Sequence, residues 1–171
     1  EEADFSTGGY NKNNKNYYDD NNGVFSWTSS KKNFIKNIQD KFGLKSYKAT
    51  EKIIPEEVVL SNPNKIASML TGLFSADGSV YIGNKMEGRK SPRFYIALSS
   101  SSKQLIYQVQ NLLRCFGIES RVVWSYLQSK DRHQGKLTIE TINSIQNYNK
   151  YIGFELCEPK QKKLELGLLT L

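Results

Sequence analysis

Residues 70–78 read LTGLFSADG. An apolar run holding the small residues Thr71 and Gly72 stops abruptly on Ala76-Asp77-Gly78, leaving a carboxylate at the end of what reads as a helix. An acid in the last helical turn faces the negative end of the macrodipole, which costs about 0.3–1 kcal/mol. Because the preceding run is apolar, Asp77 is also expected to be partly desolvated. A positive group should offset both effects, and a divalent cation held by oxygen ligands is the natural candidate. Taken alone, these residues equally allow an Asp-Gly turn after a buried helix.

The elements around this stretch follow from spacing. Ser61 or Asn62 can cap a helix whose first position is Pro63, and Ile66, Met69, Leu70, Leu73 and Phe74 form its apolar stripe before Gly78 ends it. SVYIGNK and RFYIALS, joined by the basic turn EGRKSP, read as a hairpin. A helix follows with Leu105, Ile106, Val109, Leu112, Leu113 and Phe116 inward, stopped at Gly117. ESRVVWSYL and GKLTIET make a second hairpin, and helices from about Ser144 and Lys160 close the chain. The order over 64–171 is helix, two strands, helix, two strands, helices.

Residues 1–50 read as a partial first repeat. STGGYNKNNKNYYDDNNG has no apolar period and is expected to be a loop; VFSW follows as a strand. KKNFIKNIQDKFG then sets Phe34, Ile35, Ile38 and Phe42 on one helical face, as FYIALSSSSKQLIYQVQNLLRCFG does later in the chain. Residues 51–63 are expected to be a linker. Lys and Arg number 24 against 17 Asp and Glu, a net charge of +7, which favours a polyanionic partner without naming one. No stretch is long and apolar enough to be a membrane span. Cys115 and Cys157 lack metal-ligand spacing and read as small residues of a reducing, intracellular compartment.

LTGLFSADG resembles the LAGLIDADG motif of a family of homing endonucleases. Together with IPEEVV, SSSKQLIYQVQNLLRCFGIESRV and KQKKLEL, it looks most like the endonuclease domains lodged in inteins. The resemblance implies an α+β fold of αββαββα order with a saddle-shaped antiparallel sheet, and site-specific cleavage of double-stranded DNA with Mg²⁺ or Mn²⁺. It makes Asp77 and the carbonyl of Ala76 the metal ligands. Leu70, Thr71, Gly72 and Leu73 become the face that packs on a second motif helix. It also implies a lysine near the last helix that acts on the attacking water. Lys160 stands at the matching place, with Lys162 as the alternative if the register shifts, and a polar water-holding side chain matches the serine run near Ser101. The family's earlier acid is replaced by Ser75.

In that fold the concave face of the sheet lies along the major groove. Alternation puts Tyr81, Lys85, Arg93, Tyr95, Lys136 and Thr138 on that face, with Arg89 and Lys90 on the hairpin tip. Strand 119–127 is less clear, because Val122, Val123 and Trp124 are consecutive apolar residues. The active site needs two acids, yet the chain carries one motif, so either a second copy or a separate LAGLIDADG half is the expected partner or, as the partial first repeat favours, a first motif lies upstream of Glu1. With Glu1 at the first position and no terminal His-Asn, no self-splicing is expected. A non-cleaving relic, or an RNA maturase of the same fold, is the competing reading.

Overall fold

The computed structural model describes residues 14–19, 24–29, 32–42, 48–83 and 93–169. The chain divides into two units, Glu1–Ser46 and Tyr47–Leu171. In the first, β1 (Asn14–Asp19) pairs antiparallel with β2 (Val24–Ser29), and α1 (Lys32–Phe42) follows. The loop expected before VFSW is therefore part strand. Tyr17 and Tyr18 suit a strand, and they sit opposite Ser26 and Phe25 in the ladder. The expected inward set of α1 (Phe34, Ile35, Ile38 and Phe42) lies outside the described side chains, whereas Asn33, Lys36, Asn37 and Asp40 are exposed.

The second unit contains α2 (Glu56–Val59), α3 (Pro63–Asp77), β3 (Gly78–Ile82), β4 (Phe94–Ser100), α4 (Lys103–Arg114), β5 (Arg121–Leu127), β6 (Arg132–Ile139), α5 (Ile142–Tyr151) and α6 (Glu158–Leu169). The four strands form one antiparallel sheet of order β3-β4-β6-β5. This is an α+β fold with the expected αββαββα order. Residues 51–63 are more than a linker: Ile54 is buried, its N–H and C=O both bond the Gln108 side-chain amide, and Lys52 O accepts from Ser102 Oγ at 2.6 Å.

Inward side chains of the sheet meet the helices in one core. Val80, Ile96, Leu98, Leu137 and Ile139 pack with Leu70 and Phe74 of α3, with Ile106, Val109 and Leu113 of α4, and with Leu164 of α6. Phe74 meets Tyr148 edge-on at 5.1 Å, and Phe154 lies 5.3 Å from Tyr148. Tyr148 is fully buried and donates to Gly153 O at 3.0 Å; burial pushes its phenol pKa far up. Asn62 accepts from Lys65 N–H at 3.0 Å with Pro63 at the first turn, so the expected cap of α3 forms.

Gly78 does close α3, but not by a left-handed turn. Its φ is −79°, and the chain passes straight from helix into β3. Glycine is required because an added Cβ would lie 2.5 Å from Phe74 O and 2.9 Å from Phe74 Cδ1. Gly117, which ends α4, is the left-handed case, with φ +66°.

Candidate functional site

The foot of α3 is where the sequence expectations converge. A helix leaves its last carbonyls without intrahelical donors. Here Gly78 N–H takes Phe74 O, and the Lys160 ammonium takes the next two, at 2.6 Å from Ser75 O and 3.1 Å from Ala76 O. The positive group expected at this helix end is thus present in the chain itself. Asp77 and Ala76 are exposed, so the partial desolvation expected of Asp77 is not found. Lys162, the alternative lysine, is paired away at 2.6 Å from Glu158 on its own helix, a bond that lowers the glutamate's pKa.

Ser75 is buried, and its Oγ has no hydrogen-bond partner among the described residues. Ser102, beside the expected Ser101, caps α4 by accepting from Leu105 N–H at 3.1 Å, while Ser100 Oγ accepts from Ser102 N–H. Those two hydroxyls of the serine run therefore serve the start of α4. Ser101 itself is half-buried.

Asp77 is the last residue of α3 and directly precedes β3. Gly78 begins β3 opposite Leu98 of β4, and on the next strand pair Ser99 faces Lys136. From there a cationic and aromatic cluster runs along the open face. Tyr81 stacks on Tyr95 with centroids 4.8 Å apart. Lys136 Nζ lies 4.8 Å from the Tyr95 ring and 3.2 Å from its hydroxyl, and the Arg93 guanidinium lies 5.0 Å from the same ring. Arg93 also reaches Glu140 at 3.8 Å, an exposed pair contributing about 0–1 kcal/mol.

Four of the residues expected on the DNA-facing surface (Tyr81, Arg93, Tyr95 and Lys136) are therefore brought together. Thr138 needs correction. It lies on the same face but is only 9% exposed, and its neighbour Ala97 is 2% exposed, because Tyr95 and Lys136 meet over their row. Lys85, Arg89 and Lys90 lie outside the described residues. The sequence reading missed Arg121 and Val123. Val122 and Trp124 pair with Leu137 and Gly135 on the inner side, which leaves Arg121 and the 49%-exposed Val123 outward. The inward pattern of 136–141 was the signal that could have phased this strand.

A family model described as a LAGLIDADG-like domain matches residues 64–153, more than half of the chain. The chain belongs to the LAGLIDADG family. Among curated relatives, it is 34% identical over 130 residues to the replicative DNA helicase DnaB of Synechocystis sp., covering 74% of this chain and 14% of that protein. It is 32% identical over 112 residues to DnaB of Nostoc sp., covering 66% and 12%. It is also 31% identical over 135 residues to glutamine–fructose-6-phosphate aminotransferase of Methanocaldococcus jannaschii, covering 77% and 11%. The chain thus spans a small part of each relative.

Two solved structures are similar. The homing endonuclease I-CvuI, with an I-CreI target and 2 mM Mg, matches at TM-score 0.46 and 17% identity, covering 63% of this chain and 66% of that one. The intron-encoded homing endonuclease I-CeuI complexed with DNA matches at TM-score 0.43 and 14% identity, covering 78% and 60%.

In this LAGLIDADG chain the expected pairing face is also corrected. Leu70 is fully buried in the chain's own core, and Thr71 is 8% exposed and donates to Ile152 O at 2.6 Å. Along α3, exposed Ser68 and Ala76 and half-buried Gly72 form a stripe of small residues at helical i, i+4 spacing, with Leu73 half-buried beside them. A Cβ added at Gly72 would meet nothing within 4 Å. Asp77 and Ala76 provide one carboxylate and one carbonyl, hard oxygen donors of the kind Mg²⁺ takes, and an ammonium already stands on that carbonyl as a surrogate cation. The residues therefore fit one half of a cation site. Among the described residues no group of three or more His, Cys, Asp or Glu could hold a metal, and no helix is long and apolar enough to cross a membrane.

Proposed function

We propose that this chain is the motif-bearing half of a site-specific endonuclease that hydrolyses phosphodiester bonds in double-stranded DNA with Mg²⁺ or Mn²⁺. The observation that carries the reading is the junction of the α3 foot with the sheet face. Asp77 ends α3 directly before β3, and on that sheet Tyr81 stacks on Tyr95, which the Lys136 ammonium and the Arg93 guanidinium also approach. A duplex lying on that face has its phosphates beside an exposed carboxylate and a lysine.

Each side chain then has a task. Arg93 and Lys136 supply charge for the backbone, and the stacked tyrosines, with Arg121 and Val123 alongside, present hydrogen-bonding and apolar surface to base edges. Asp77 and Ala76 O hold the cation, which when bound stabilises charge building on the phosphoryl oxygens. Lys160 keeps a positive charge beside Asp77, where it orients the attacking water. One carboxylate makes half a site, so the small-residue stripe of Ser68, Gly72 and Ala76 is proposed to pack on the corresponding helix of a second copy or a separate half.

Matches of 130 and 135 residues of this chain within a helicase and an aminotransferase, at 14% and 11% of their lengths, support descent from an inserted element such as an intein.

The test is cleavage of long duplex DNA in Mg²⁺ by the chain and by Asp77→Asn. The variant should bind as tightly as the parent and cut at least about 100-fold more slowly, as expected for losing a group that acts at the reacting phosphate. Equal cutting by both proteins would reduce Asp77 to a turn residue. Binding without cutting by the parent, under conditions that pair the halves, would mark a non-cleaving relic or an RNA maturase.

A further inference from the structure

We propose that Lys160 is the resident cation of the motif helix, and that a divalent ion entering the site takes the Ala76 carbonyl from it, leaving the ammonium on Ser75 alone. This rests on the reading of Asp77 and Ala76 as cation ligands.

Three observations carry it. The last carbonyls of α3 are accounted for in order, Phe74 O by Gly78 N–H and then Ser75 O and Ala76 O by Lys160 Nζ, so the lysine completes the helix cap. The two lysine contacts are unequal, 2.6 Å to Ser75 O and 3.1 Å to Ala76 O, so the longer one can be given up while the shorter is kept. The shared oxygen also belongs to the residue next to Asp77. A divalent ion held by that oxygen would compete with the ammonium for it, and the two like charges would repel each other.

Lys160 is therefore a positioning residue with two states. Without metal it offsets the negative end of the α3 macrodipole through the Ser75 and Ala76 carbonyls. With a metal on Ala76 O, the ammonium would keep only its contact to Ser75 O. The other lysine of this helix end, Lys162, bonds Glu158 rather than the α3 carbonyls.

The experiment reads thermal unfolding and metal binding, without DNA. In EDTA, Lys160→Met should lower the unfolding midpoint by roughly 3–6 °C, as expected for losing a charged helix cap in a domain of this size. Lys160→Arg should keep most of the midpoint, and Lys162→Met should hardly change it. Addition of Mg²⁺ or Mn²⁺ should then raise the midpoint of Lys160→Met more than that of the parent. Mn²⁺ titration followed by electron paramagnetic resonance should give tighter binding in Lys160→Met, with no such gain in Lys162→Met.

An unchanged midpoint for Lys160→Met in EDTA would overturn the cap. Equal metal responses in the parent and Lys160→Met, including no response in either, would overturn the exchange. Neither result bears on cleavage, which the Asp77→Asn assay decides separately.

Discussion

Lys136 and Thr138 stand two residues apart on one face of β6, and their surroundings separate them. Lys136 extends to the Tyr95 hydroxyl, whereas Thr138 lies beneath the resulting arch. Lys136→Ala should weaken DNA binding and lower the salt slope by about one unit, the signature of one lost phosphate contact. Thr138→Ala should leave both nearly unchanged, since its side chain is covered. Filter binding across a salt series reads both variants. An equal loss for Thr138→Ala would mean that the arch opens on DNA. Alternation in the sequence assigned both residues to the right face, because parity is a local property. It could not reveal that Thr138 is covered, because that depends on how far Tyr95 reaches from another strand.

At the scale of elements, α3 could be read closely. Its cap Asn62, its first-turn Pro63, its apolar stripe and its final Gly78 all agree. The sequence left open which side of the helix the chain keeps for itself. Leu70 and Thr71 look available in the motif, but the Thr71 hydroxyl is committed to Ile152 O, in a turn 81 residues away. The strand β1 was illegible for the opposite reason: its asparagines mask a pairing that depends on β2. The glycine at the end of α3 makes a sharp prediction. Gly78→Ala should destabilise the fold by about 1–3 kcal/mol, the range for forcing atoms into a filled space, because the new methyl meets Phe74 O. Urea denaturation measures this loss. A neutral result would mean that the strand shifts freely away from the helix end.

At the scale of the whole molecule, the open stripe on α3 separates folding from assembly. Gly72→Leu adds bulk where an added Cβ meets nothing within 4 Å, so the chain should keep its unfolding midpoint. Yet the same bulk should hold a second motif helix away and abolish cleavage. Light scattering with DNA and Mg²⁺ should then show the parent pairing and the variant not. A variant that pairs and cuts normally would move the assembly face elsewhere. The lysine on the α3 foot has one further consequence, which concerns time. Lys160 is 85 residues downstream of Ser75, so during synthesis the motif helix is made long before the group that closes its end. A nascent chain or a truncation stopping short of Lys160 would carry the motif and its acid while the end of that helix frays. The chain therefore holds its acid in an unfinished setting until α6 is made.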